Sequence, residues 1–115
     1  MSDLRGQKCT PCRSGDPPIS DDELRTYLRE LPDWSVITDQ GVRKLTRQFG
    51  FRNFRLALEF TNRVGAMAEE NDHHPLLCTE WGRVTVTWWT HAISDLHRND
   101  LIMAARTDQQ FGGAS

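Results

Sequence analysis

The sequence predicts an α+β domain, a four-stranded antiparallel sheet with helices packed on one face, in the order α-β-β-α-β-β-α. Three observations carry that expectation. Two strand-like pairs fold about short glycine-containing connections, Asp39-Gln40-Gly41 and Trp81-Gly82. Three stretches with apolar residues at helical spacing flank and separate those pairs. Alternation within the strands suits an antiparallel sheet buried on one side.

Residues 1–19 are rich in Gly, Pro and charge and end in Asp16-Pro17-Pro18, which resists both helix and ladder pairing, so they are expected to form an N-terminal arm. The domain proper is expected over 20–110, and 111–115 should fray. Ser20-Asp21-Asp22-Glu23 is a capping-box pattern, with Leu24, Tyr27, Leu28 and Leu31 following at i, i+3, i+4 and i+7, so the first helix starts there and Pro32 ends it. Strands are expected over 34–38 and 42–49. From an Asn53 cap, Phe54, Ala57, Leu58, Thr61, Val64 and Ala68 mark a longer second helix that frays near Glu69-Glu70-Asn71-Asp72. The second hairpin takes 76–80 and 83–90, with Val84, Val86 and Trp88 on its core face. Leu101, Ala104 and Ala105 place the last helix over 100–108.

A chain of 115 residues can bury roughly 65% of its unfolded surface, enough for a core without staples. No apolar run approaches the roughly 18 residues of a membrane span, and the first residues lack the apolar segment of a secretory signal, so the expected setting is the cytoplasm without membrane contact. The formal charge of -2 disfavours nucleic acid as a partner, and the basic stretch Arg43, Lys44, Arg47, Arg52 and Arg55 reads as a solvated face. Cys9, Cys12 and Cys78 form an odd set suited to a reducing compartment. Cys9-Thr-Pro-Cys12 has no second pair to complete a zinc knuckle and lacks the strand-to-helix setting of a redox motif.

Residues 71–92 contain His73, His74 and His91, three of the four histidines. If the third and fourth strands form one hairpin, its open end brings the His73-His74 pair near His91. Three chemistries compete for such a cluster. Zinc is disfavoured because adjacent residues in an extended segment point opposite ways and no H-x-x-x-H pattern is present. Acid–base work suits imidazole, whose unperturbed pKa near 6.5 lets it donate and accept protons at neutral pH. Hydrogen-bonded structural histidines are the third reading.

The run Glu69-Glu70-Asn71-Asp72-His73-His74-Pro75, the hairpin ending in Thr90-His91, and Asn99-Asp100 before an apolar helix resemble the signature of the pterin-4a-carbinolamine dehydratases. Cys9-Thr-Pro-Cys12, Leu31-Pro32-Asp33-Trp34 and the second helix from Phe54 through Arg63-Val64 extend the resemblance over most of the chain.

The resemblance implies a hydro-lyase with no cofactor and no metal, converting a 4a-hydroxytetrahydropterin to the quinonoid dihydropterin during tetrahydrobiopterin recycling. By similarity His73 and His91 fall on acid–base positions, His74 on one that holds substrate, and Asp100 on a carboxylate that orients a histidine. Pro75, Thr90, Ala92, Ile93, Trp34 and Glu69 fall among residues around the pterin. The resemblance also implies a homodimer or homotetramer and a functional link to an aromatic amino-acid hydroxylase. The alternative is a protein-binding module, since some members of the family act as dimerisation cofactors for transcription factors. Two departures stand out. Leu76-Leu77-Cys78 follows the HHP motif where many relatives carry an acidic residue and an aromatic, and Asp95-Leu96-His97 replaces a Gly-Leu-Thr run, leaving His97 where a threonine would cap the last helix. His97 is expected to be solvent-exposed and outside the chemistry.

Overall fold

The computed structural model describes residues 4–7, 9 and 15–112. A 3-10 turn at Leu4–Gly6 precedes α1 (Asp21–Leu28), β1 (Ser35–Asp39), β2 (Val42–Gly50), α2 (Phe54–Glu70), β3 (Leu76–Glu80), β4 (Arg83–Trp88) and α3 (Arg98–Gly112), an α+β fold in the expected order. Every strand pair is antiparallel and the sheet order is β1-β2-β4-β3, so the two hairpins join through β2 and β4.

The starts of α1 and α2 follow from local chemistry. The Ser20 hydroxyl accepts the Glu23 amide at 3.2 Å, and the Asn53 side chain accepts the Leu56 amide at 2.9 Å. The first hairpin turns through Gln40 and Gly41, at φ of 52° and 81°, the positive pair that a two-residue turn of primed type requires. The second turns on Gly82 at φ +77°, where a Cβ would stand 3.2 Å from the Phe51 carbonyl.

Register then sorts the residues. Leu45 lies opposite Trp88, and Phe49 opposite Val84. These four, with Val86, are enclosed beneath Ala57, Phe60 and Val64 of α2 and Leu101 to Ala104 of α3. Each fully buried Leu, Val or Phe contributes about 1.5–3 kcal/mol. Phe49, Phe51, Phe60 and Phe111 form an aromatic cluster with centroids 4.8–5.9 Å apart. The opposite sheet face carries Lys44, Thr46, Thr85 and Thr87, and Trp89, just past the end of β4, lies against Lys44.

Several boundaries differ from expectation for identifiable reasons. The first helix stops at Leu28. Pro32 lacks an N–H and disfavours helical geometry at Leu31, so the chain tightens into i→i+3 bonds from Glu30 to Tyr27 and Leu31 to Leu28, each 3.0 Å. In α2 the buried stripe runs through Ala57, Phe60, Val64, Met67 and Ala68, while Phe54 and Leu58 are 45% and 42% exposed. The fourth strand ends at Trp88 because Thr90 bridges Asp95 instead of continuing the ladder. The last helix begins two residues earlier and runs further than 100–108.

The N-terminal segment is tethered where it is described. Leu4 is fully buried, its amide donates to Glu30 Oε1 at 3.3 Å, and Cys9 is half-buried with its thiol pushed to a higher pKa, chiefly by burial. Cys12 lies outside the described residues.

Candidate active site

The site is built around Asp100, in the first turn of α3, whose side chain is fully enclosed. An isolated ionised carboxylate there would cost several kcal/mol, so its partners decide whether it is tolerable. Oδ2 accepts the Thr90 hydroxyl at 2.7 Å and the His97 backbone N–H at 2.9 Å, while Oδ1 lies 2.6 Å from Nε2 of His73. With the carboxylate ionised, Nε2 must carry the hydrogen, and Nδ1 is left as the nitrogen of His73 able to exchange a proton. The imidazole is stacked nearly parallel on Trp88, centroids 5.7 Å apart and planes 8° from coplanar. Two contacts therefore fix that ring: a charged acceptor at one nitrogen and an indole across one face.

His73 reaches Asp100 because α2 ends abruptly. Asn71 closes the helix, Asp72 takes φ +50°, and the His73 amide returns to the Ala68 carbonyl at 3.2 Å. His74 points elsewhere, its Nε2 2.8 Å from Glu69 Oε1 at the surface, with side chains 55% and 81% exposed. Such an open pair is worth about 0–1 kcal/mol. Pro75 then leads into β3.

His91 follows Thr90 directly, so the backbone joins it to the hub. Its exposed side chain lies across the face of Trp89, centroids 4.5 Å apart, with Lys44 Nζ 4.1 Å from the centre of the same indole. Strand alternation places Trp88 and Trp89 on opposite sides of β4, so the His73 ring rests on the inward indole and the His91 ring on the outward one. The hairpin gathers the three histidines at one end of the sheet without hydrogen-bonding their rings to each other.

The loop carrying His91, Ala92 and Ile93 closes on itself. Thr90 N–H donates to the Asp95 carbonyl at 3.0 Å, and Ser94 takes φ +50°. Asp95 is held by Arg43 Nε at 2.7 Å and by the Leu96 amide at 2.8 Å. Burial raises the Asp95 carboxyl, but those two hydrogen bonds and the guanidinium charge overcome it, leaving its pKa below the usual range.

Trp34 is buried at another part of the molecule. Its ring meets Phe49 edge-on at 6.0 Å, and its N–H donates to Asp108 Oδ1 at 2.9 Å. Asp108 lies two turns beyond Asp100, roughly 12 Å along α3. His97, expected to be a poor cap, does cap α3: the Asn99 amide donates to its Nδ1 at 3.1 Å.

Trp88, Trp89 and Arg43 were not singled out as site residues by sequence reasoning. The Trp-Trp pair immediately before Thr90-His91 is a signal that could have found the first two, because alternation sends one ring to each side of the strand. Arg43 gave no local signal, since its partner is 52 residues away. The other basic residues of its stretch are mostly matched to carboxylates: Lys44 to Asp39, Arg47 to Asp108 and Arg55 to Glu59. Among the described residues no group of three or more His, Cys, Asp or Glu side chains is placed to hold a metal ion, and no helix is long and apolar enough to cross a membrane.

Fold and site together define a class: a small α+β domain in which a buried carboxylate at a helix start anchors a histidine beside a histidine-bearing loop. A family model described as pterin 4 alpha carbinolamine dehydratase matches residues 17–110, and the chain belongs to that family. It is 55% identical over 108 residues to a protein of Syntrophotalea carbinolica named provisionally as a pterin-4-alpha-carbinolamine dehydratase, covering 94% of this chain and 96% of the relative. A protein of Chlorobium limicola, named the same way, is 54% identical over 107 residues, covering 93% and 95%. Among solved structures, one described as a transcriptional coactivator/pterin dehydratase from Brucella melitensis superposes with a TM-score of 0.74 at 30% identity, covering 84% of this chain and all of that one. A pterin dehydratase-like protein described as a RuBisCO assembly factor in the alpha-carboxysome shares the fold, with a TM-score of 0.60 at 22% identity over 70% of this chain and 90% of its own.

Proposed function

We propose that the protein dehydrates a 4a-hydroxytetrahydropterin to the quinonoid dihydropterin by histidine acid–base catalysis. The observation that carries this reading is the buried Asp100 carboxylate bonded to His73 Nε2. The reaction breaks the C4a–O bond and removes the N5 proton, so the departing hydroxide needs a proton donor and N5 needs an acceptor. His73, oriented by Asp100 and presenting Nδ1, takes one of these roles. His91 on the Thr90–Asp95 loop takes the other, and the assignment exchanges between the two C4a epimers. His74, held towards Glu69, binds substrate, and Pro75, Thr90, Ala92 and Ile93 border it. No cofactor or metal enters the sequence of steps.

In the cell this activity serves tetrahydrobiopterin recycling in the cytoplasm, returning pterin for reduction after an aromatic amino-acid hydroxylase has oxidised it. A protein-binding role, suggested by the coactivator description of the Brucella protein, has no use for an enclosed carboxylate under a histidine, which costs stability unless its geometry is needed. The test is the decay of 4a-carbinolamine with and without purified protein. Acceleration above the spontaneous rate at catalytic protein concentrations supports the reading, and a rate equal to the baseline refutes it.

A further inference from the structure

A second network reaches the site from behind and takes no part in the proton transfers. Arg106 lies on α3 about 9 Å beyond Asp100. Its Nη1 donates to Asn71 Oδ1 at 2.6 Å, and its Nη2 donates to the Gln7 carbonyl. Asn71 is the residue that closes α2: its backbone N–H meets the Met67 and Ala68 carbonyls, each at 3.2 Å, and its Nδ2 meets the Met67 carbonyl at 2.8 Å. The chain then reverses at Asp72, a non-glycine residue at φ +50°, and delivers His73. A left-handed residue of this kind is strained and persists only where its surroundings over-determine it.

Arg106 supplies that determination from one side. Its planar guanidinium grips two acceptors at fixed angles, so the position of the α2 terminus is set relative to α3, the helix that carries Asp100. The second acceptor belongs to the N-terminal segment, which is anchored by buried Leu4, by the Leu4 amide on Glu30 and by the Cys9 thiol 3.9 Å from the Asn99 carbonyl. That segment precedes the region matched by the family model, 17–110.

We propose that Arg106 is a positioning residue for His73, and that the N-terminal segment completes this support through the Gln7 carbonyl. The proposal rests on the dehydratase reading for its effect on rate but not for its effect on structure, so two readouts are needed. In the full chain, Arg106→Met removes both hydrogen bonds while keeping most of the aliphatic stem. It should speed hydrogen exchange at the Asp72 and His73 amides by about tenfold or more while amides in the middle of α2 keep their protection, since opening there is local. Dehydratase kcat should fall by about tenfold to 100-fold, with KM changed less than about threefold, because a misplaced catalytic group costs rate more than binding. Arg106→Lys, which can reach one acceptor but not both, should fall between, and serves if the Met variant fails to fold. Leu4→Ala loosens the segment without touching either hydrogen-bonding group and should raise exchange at His73 by a smaller factor.

Unchanged exchange and kcat in the Arg106 variants would overturn the proposal, as would a uniform loss of protection throughout α2. Unchanged His73 exchange in Leu4→Ala would remove the segment's part in it. Local loss of protection in a protein that never accelerates carbinolamine decay would leave the positioning role standing and sink the dehydratase reading instead.

Discussion

His73 Nε2 stands 2.6 Å from Asp100 Oδ1, and the other oxygen of that carboxylate already accepts two hydrogens, from Thr90 and from the His97 amide. The arrangement fixes which atom of an amide could replace which oxygen. In Asp100→Asn the carbonyl oxygen must face Thr90 and His97, so the NH2 group faces His73 and drives its hydrogen to Nδ1. The proton-exchanging nitrogen is then buried against the amide. We expect kcat to fall by about 100-fold or more with the fold intact, and imidazole 15N shifts to report the changed tautomer. An Asn variant with normal kcat would show that the carboxylate does not set the tautomer used.

The Arg43–Asp95 pair ties the His91 loop to β2 and should make stability depend on acid. Because the folded-state pKa of Asp95 is depressed, the unfolded chain binds the proton first as pH falls. The pair's contribution is therefore complete above the ordinary carboxylate value of 3.8 and is lost as pH drops through the lower folded value. Arg43→Met should lower stability at neutral pH and flatten that acid limb in urea denaturation series. A limb of unchanged steepness would contradict the assignment.

His97 caps α3 with its imidazole, yet it meets Asp100 only through its backbone amide. His97→Ala should thus cost about 0.5–2 kcal/mol in urea or thermal unfolding, the usual range for a lost cap, with kcat little changed. A large fall in kcat with stability preserved would place the His97 ring in the chemistry.

Much of this was written in short-range pattern. Ser20 and Asn53 announce their helices within three residues, Gly41 and Gly82 mark turns that need their backbone freedom, and alternation puts Val84, Val86 and Trp88 inward. Resemblance pointed to Asp100 as a carboxylate beside a histidine without saying which one, and only the packed fold pairs it with His73; the hairpin explains why His91 lies at the same end of the sheet. What stayed hidden depends on partners far apart in sequence. Arg43 finds Asp95, Trp34 finds Asp108, and Arg106 finds Gln7 only after the helices have packed. The last helix outran its periodic core because Asp100 and the His97 ring stabilise a start two residues earlier than any Ser or Thr advertised, and because Phe111 joins the aromatic cluster at the far end.

Exposed apolar side chains point to self-association. Phe54 and Leu58 lie one turn apart on α2, 45% and 42% exposed, while Ile37 and Leu76 are 42% and 48% exposed on the sheet. We expect a homodimer or homotetramer, measured by light scattering at micromolar concentration. A mass near the chain's own 13.2 kDa would contradict this.

If His73 and His91 move the protons, the decay of 4a-carbinolamine measured on histidine variants will show it. A positioned general acid or base contributes about 10²- to 10⁴-fold, roughly 3–5 kcal/mol of barrier. His91→Ala should lose rate on that scale, tempered where His73 can act in its place on one epimer. The double change His73→Ala with His91→Ala should cost clearly more than either alone, with kcat falling more than KM rises. A double variant that folds, as judged by circular dichroism, and turns over as fast as the unmodified protein would mean that neither histidine carries the proton transfers.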